Sequence, residues 1–267
     1  MLISITHRAS STRRARPLAF ILAVAAGLLI AGAVHSTAVD AAVVQAATHT
    51  ASQGLAPELR RNLLLPRRPR TMSAFMTMVI HNVHEFWTKE LATQGVPEPY
   101  VRYWWFSKKR MRSACGRATR GAPFYCRADD TIYISTQFAR RVWLGRVHGQ
   151  GGTTIRDLGV ATVIAHEYAH NLQAELGVYD AHPNAAQSKP FELQADCMAG
   201  MWANHAYHQG ILEPGDVEEA AATSAAGGDY NINARDHHGT PAERKDAWMR
   251  GYDTGDLTQC AAYVAGA

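Results

Sequence analysis

The segment Ile164-Ala165-His166-Glu167-Tyr168-Ala169-His170 most constrains what this chain can become. Residues four apart on an α-helix differ in direction by about 40° and stand about one turn apart, so His166 and His170 present imidazole nitrogens to one common point. Glu167 projects beside that pair. Val160, Val163 and Ile164 before the segment, and Leu172 and Leu176 after it, give the helix a long apolar side. Two imidazoles and a carboxylate on a buried helix are costly unless something pairs with them. The fold must therefore bring a partner to the polar stripe of this helix.

The H-E-x-x-H order is the one in which two histidines bind zinc and the glutamate serves as general base of a metallopeptidase. A catalytic zinc needs a third protein ligand and one open position. The segment Phe191–Cys197 begins 21 residues after His170 and supplies Glu192 and Asp196 at i, i+4, on one helical face. A second helix crossing the first would set the Glu192 carboxylate on the metal. Asp196 would accept the N–H of a ligating histidine and fix its tautomer. Leu193, Ala195, Met198, Met201 and Trp202 make this helix too apolar for both acids to be idle. Cys197 points about 100° away from Asp196 and reads as a disulfide partner rather than a thiolate ligand.

Charge has to be divided before it is interpreted. The chain carries 27 Lys/Arg against 23 Asp/Glu, but residues 1–70 hold 9 and 2 of these and the body 18 and 21. The basic character belongs to the N-terminal tail, and the body offers no electrostatic argument for nucleic acid. Arg8, Arg13, Arg14 and Arg16 precede an uncharged run, Leu18–Val34, the pattern of an export signal whose apolar stretch approaches membrane-spanning length. Residues 1–38 are therefore expected to be a signal peptide or a membrane anchor, and 39–71 a flexible basic linker. Either reading puts the body outside the cytosol. Cys115, Cys126, Cys197 and Cys260 then allow two disulfides in three connectivities, of which Cys115–Cys126 with Cys197–Cys260 is preferred.

From Met72 the apolar spacing predicts a helix ending before Gly95 and Pro97, with His81 and His84 on it as solvated or core-edge residues. Tyr100–Phe106 and Thr131–Ser135 read as strands, separated by a loop rich in Gly, Arg and Cys, and the second is expected to offer an edge to an extended peptide. Helices are expected over 154–175, 191–209 and 216–226, the last with Asp216 as N-cap. Helices dominate, so the body is an α+β domain, mainly helical with a small β-sheet.

These residues resemble the neutral zinc metallopeptidases of the bacterial YpfJ type. Ser113-Ala114-Cys115-Gly116 with Pro123-Phe124-Tyr125-Cys126 is similar to that family's SACG…GPFYC block, and Val163–Glu167 to its VIAHE. Glu192–Cys197, Ala199-Gly200 and Trp202-Ala203 resemble its ELQADC-AG-WA segment. His238-Gly239-Thr240, Arg244 and Trp248, then Gly255-Asp256 and Cys260, resemble its C-terminal part. Ala122 stands where the family usually has Gly, and Glu243 where it often has Gln. The resemblance covers about 72–267. It implies a zincin-like (gluzincin-type) domain with one zinc per chain on His166, His170 and Glu192, Glu167 as base, and a peptide or protein substrate. His238 is the candidate for stabilising the oxyanion. The competing expectation is an envelope-anchored, zinc-stabilised binding protein that cleaves nothing, favoured if His182 or His238 closes the fourth position.

Overall fold

The structure is a computed structural model that describes residues 3–5, 69–146 and 157–267. The uncharged run Leu18–Val34, all but the last residues of the linker, and the connector Gly149–Gly152 lie outside the described residues. A four-stranded sheet has the order β1 (Ile3–Ile5), β2 (Val101–Phe106), β6 (Thr131–Ser135), β5 (Phe124–Cys126). β2 and β6 run parallel and the outer pairs antiparallel. A separate hairpin is made by β3 (Arg110–Ser113) and β4 (Gly116–Thr119). The helices are α1 (Met72–Thr93), α2 (Thr136–Trp143), α3 (Asp157–Glu175), α4 (Val178–Ala181), α5 (Lys189–His208), α6 (Asp216–Ala226), α7 (Pro241–Thr254) and α8 (Leu257–Ala261). The body is mainly helical with a small sheet, as its periodicity predicts.

Local chemistry sets the element boundaries. The Thr71 hydroxyl accepts the Ala74 N–H and starts α1, while Thr240 and Glu243 form a reciprocal capping box at the head of α7. β6 has all five residues buried, since it is flanked by strands on both sides. That overturns the expectation that Thr131–Ser135 is an edge: among the described residues the sheet ends at β5. The stretch read as a loop between the two long strands contains β3, β4 and β5, whose short runs of Gly, Arg and Ser carry little alternation of their own. Asp216 is the first residue of α6, not its cap, because Gly215 occupies the capping position at φ 96° and the Asp216 carboxylate turns back to accept the Glu213 N–H.

The helix carrying His166 is the centre of the core. α3 packs against α1, α5 and α6, and α5 lies along α7. Fourteen of its residues are buried, which explains why its hydrophobic side reads as nearly continuous. Ile80, Val83 and Trp87 of α1, Ile164, Tyr168 and Leu172 of α3, and Met198 and Trp202 of α5 share this core. A smaller cluster of Phe106, Ala118, Cys126 and Tyr133 lies under the hairpin. α5 and α7 touch backbone to backbone: a Cβ on Gly251 would lie 1.8 Å from the Cys197 carbonyl oxygen, and one on Gly200 2.0 Å from that of Trp248. Disulfides join Cys115 to Cys126 and Cys197 to Cys260. No helix among the described residues is long and apolar enough to cross a membrane.

Candidate metal centre

α3 and α5 bring the two sequence segments together. His166 Nε2 lies 3.1 Å from His170 Nε2 and 3.2 Å from Glu192 Oε2, and His170 Nε2 lies 3.4 Å from Glu192 Oε1. Tetrahedral ligands at about 2.0–2.1 Å from zinc are about 3.3 Å from one another. The donor set, two imidazole nitrogens and a carboxylate, is the borderline-soft chemistry that zinc prefers. The residues present therefore fit this ion.

The surroundings of the triad are themselves ordered. Asp196 Oδ1 lies 3.0 Å from His166 Nδ1, on the side of the ring away from Glu192. Arg244, from α7, donates to the same carboxylate through Nε at 2.6 Å and Nη2 at 3.0 Å, and through Nη1 to the Gly227 carbonyl. His170 Nδ1 faces Gln173 Oε1 at 2.8 Å and the Tyr179 hydroxyl at 3.1 Å. Gln173 is fixed in turn by donating to the Phe191 carbonyl and to Gln194. Both rings are thus oriented from behind. Gln173 was legible in principle as the polar residue three after His170 on a buried face. Arg244 belonged to the resembling C-terminal block, but nothing local says that it reaches Asp196.

The charges are those of a site built for a cation. Burial opposes ionisation of Glu192, yet His170 and His166 hold its carboxyl well below the usual range. Asp196 is likewise kept low, against its burial, by Arg244 and His166. Burial alone would lower His166; Asp196 and Glu192 overcome it and push the imidazole up to about 10. These acids stabilise positive charge at His166, a place a metal ion would take over from the proton. Glu167 differs: burial raises its pKa, and the neighbouring imidazoles only partly counter that. It is 5% exposed, and its Oε2 has no hydrogen-bond partner. A buried carboxylate oxygen left unpaired beside two imidazoles and a second carboxylate is unusual.

His166, Glu167, His170 and Glu192 line one wall of a cavity of about 560 Å³. Tyr125 and Arg127 also line it, and Phe138 and Val142 of α2 with Val163 of α3 add apolar lining. His238 also lines it, but stands outside the triad: its N–H and Nδ1 face Asp229 Oδ2 at 2.9 and 3.3 Å. Its neighbour His237 is buried, with Nδ1 on Asp229 Oδ1 at 2.6 Å. His182 does not line the cavity, and its Nδ1 faces the Val178 carbonyl. Among the described residues, neither His182 nor His238 joins the three donors.

With this arrangement in view, the comparisons with known proteins become specific. The profile of the family described as "Putative neutral zinc metallopeptidase" matches residues 7–263. The chain belongs to this family. It is 31% identical over 206 residues to "Uncharacterized protein YpfJ" of Escherichia coli strain K12, covering 70% of this chain and 69% of that protein. It is 33% identical over 196 residues to "Uncharacterized protein Rv2575" of Mycobacterium tuberculosis strain H37Rv, covering 64% of each. No solved structure matches the chain. Membership of the family agrees with a donor set that suits zinc, and the resemblance read from the SACG, VIAHE and ELQADC blocks is the same one.

Proposed function

We propose that this protein is a zinc-dependent peptidase of zincin-like architecture that hydrolyses a peptide bond with Glu167 as general base. The observation that carries the proposal is the spacing of His166, His170 and Glu192 as three corners of a tetrahedron in the wall of a cavity that Glu167, with its unpaired Oε2, also lines. His166, His170 and Glu192 hold one zinc per chain. Bound there, zinc supplies a Lewis acid for the carbonyl oxygen and lowers the pKa of water toward about 7.

The protein's own groups do the rest. Asp196 keeps His166 in the tautomer that offers Nε2, and Gln173 with Tyr179 does so for His170. Glu167 Oε2 takes one proton from the attacking water and returns it to the leaving amine nitrogen as the C–N bond breaks. His238, braced by Asp229, contributes to stabilising the oxyanion. The open edge of β5, next to the cavity-lining Gly121–Phe124 stretch, aligns an extended peptide substrate. Two disulfides support an extracytoplasmic location, secreted or held at the membrane by the N-terminal segment.

The test is metal analysis joined to a chelator-sensitive assay on a broad peptide library. Glu167→Gln should keep one zinc per chain and lose hydrolysis by about 10²-fold or more. His166→Ala and Glu192→Ala should lose the metal. Full activity in Glu167→Gln would refute the base, and a zinc-loaded wild type without any hydrolysis would leave a zinc-stabilised binding protein.

A further inference from the structure

The charge of the body is sharply divided. Between Pro99 and Ala128 there are eight Arg/Lys and no Asp/Glu, whereas the remainder of residues 71–267 holds 10 Arg/Lys against 21 Asp/Glu. The hairpin β3–β4 concentrates this charge. Its register places Met111 opposite Ala118, and both turn inward onto the small cluster beneath. Alternation then turns Arg110, Arg112 and Arg117 outward, with Lys108 and Lys109 at the entry to β3. All five are exposed, and none makes an ion pair or a side-chain hydrogen bond within the described residues.

This arrangement costs stability. Arg112 and Arg117 are direct cross-strand partners, and like charges facing each other weaken a hairpin. The pairing is held in spite of that by the Cys115–Cys126 disulfide and by the Ala114 N–H bound to Asp129 Oδ2 at 2.8 Å. None of the five cations lines the cavity. Five exposed, flexible cations spread along one face of a ribbon match an extended layer of anions rather than a single carboxylate or phosphate. In the extracytoplasmic location that the disulfides support, a bilayer of anionic phospholipids is such a layer.

We propose that the outward face of the β3–β4 hairpin, with Lys108 and Lys109, docks on the anionic phospholipid headgroups of a membrane. This is independent of the metal reading, since it shares no residue with the triad. The full chain should bind vesicles of phosphatidylcholine with phosphatidylglycerol more tightly than phosphatidylcholine alone, and rising salt should erase the difference. Replacing Lys108, Lys109, Arg112 and Arg117 by Gln should weaken binding to anionic vesicles by about fivefold per charge. Both proteins share the same N-terminal arginines, so the difference isolates the hairpin. Arg112→Lys with Arg117→Lys should bind as wild type does, because only charge is required. Unchanged anionic-vesicle binding in the Gln variant would overturn the proposal. So would a loss in the Lys variant equal to that in the Gln variant, or a preference for polyglutamate or duplex DNA over anionic vesicles at equal ionic strength. Zinc content of both variants should match wild type, and the thermal midpoint should match in the Lys variant and be no lower in the Gln variant, where the Arg112–Arg117 repulsion is gone.

Discussion

Asp196 is 1% exposed and sits between His166 and Arg244, so its negative charge is matched on both sides. Removing that charge should act on the metal as well as on the fold. Asp196→Asn is expected to weaken zinc binding by about 10–100-fold, measured by competition with a chelator. Arg244→Met leaves the Asp196 carboxylate buried without its guanidinium and should lower unfolding free energy by about 3–5 kcal/mol in urea titrations. His166, His170, Glu167 and Glu192 were all legible as residue types at helical spacing, because i, i+4 geometry is local. Arg244 was not, because its contact with Asp196 spans 48 positions and depends on how two helices lie against each other.

At the level of elements, Gly200 of α5 and Gly251 of α7 each let the backbone of the other helix come close. Gly251→Ala must push a Cβ into the Cys197 carbonyl, next to Asp196. Overpacking of this kind costs about 1–3 kcal/mol, and the collision here is with backbone, which cannot rotate away. A fall of roughly 5–10 °C in thermal midpoint is expected, accompanied by weaker zinc retention. The head of α7 gives a pH prediction. Thr240 N–H, with Lys189, holds the Glu243 carboxyl below its ordinary value. Stability from this cap is therefore complete above the ordinary glutamate pKa of about 4.3 and is lost as pH falls through the lower folded value. Glu243→Gln keeps an oxygen for the cap, so its unfolding midpoint should match wild type near neutrality and decline less on acidification. The long helices and the strands Val101–Phe106 and Thr131–Ser135 were readable from periodicity. β3–β5 were not: their strand character comes from pairing and a disulfide, and each is at most four residues long. The inner position of β6 was likewise invisible, since a strand buried on both edges and a strand at an edge have the same alternation when both faces are covered.

For the whole molecule, the Cys197–Cys260 bond ties α8 to α5 across a separation of 63 residues. Closing a loop of that length removes about 4 kcal/mol of unfolded-chain entropy, against about 3 kcal/mol for the loop closed by Cys115–Cys126. Cys197→Ala with Cys260→Ala should accordingly lower stability more than the other pair, in denaturant titrations of the two double variants. The proposed zinc gives a separable prediction: metal at 100 times its dissociation constant should add about 2.7 kcal/mol, which a chelator removes reversibly. By itself the sequence determined the candidate donors, the apolar helices that carry them and the cysteines available for bridging, because each of these follows from spacing along a chain of known local geometry. Only the tertiary structure decided that Glu192 meets the imidazoles at 3.2 and 3.4 Å, that Arg244 braces Asp196, and that the basic residues of β3 and β4 share one outward face. Those depend on how close two helices can approach and which strands pair, and packing sets both distances only after the chain has folded.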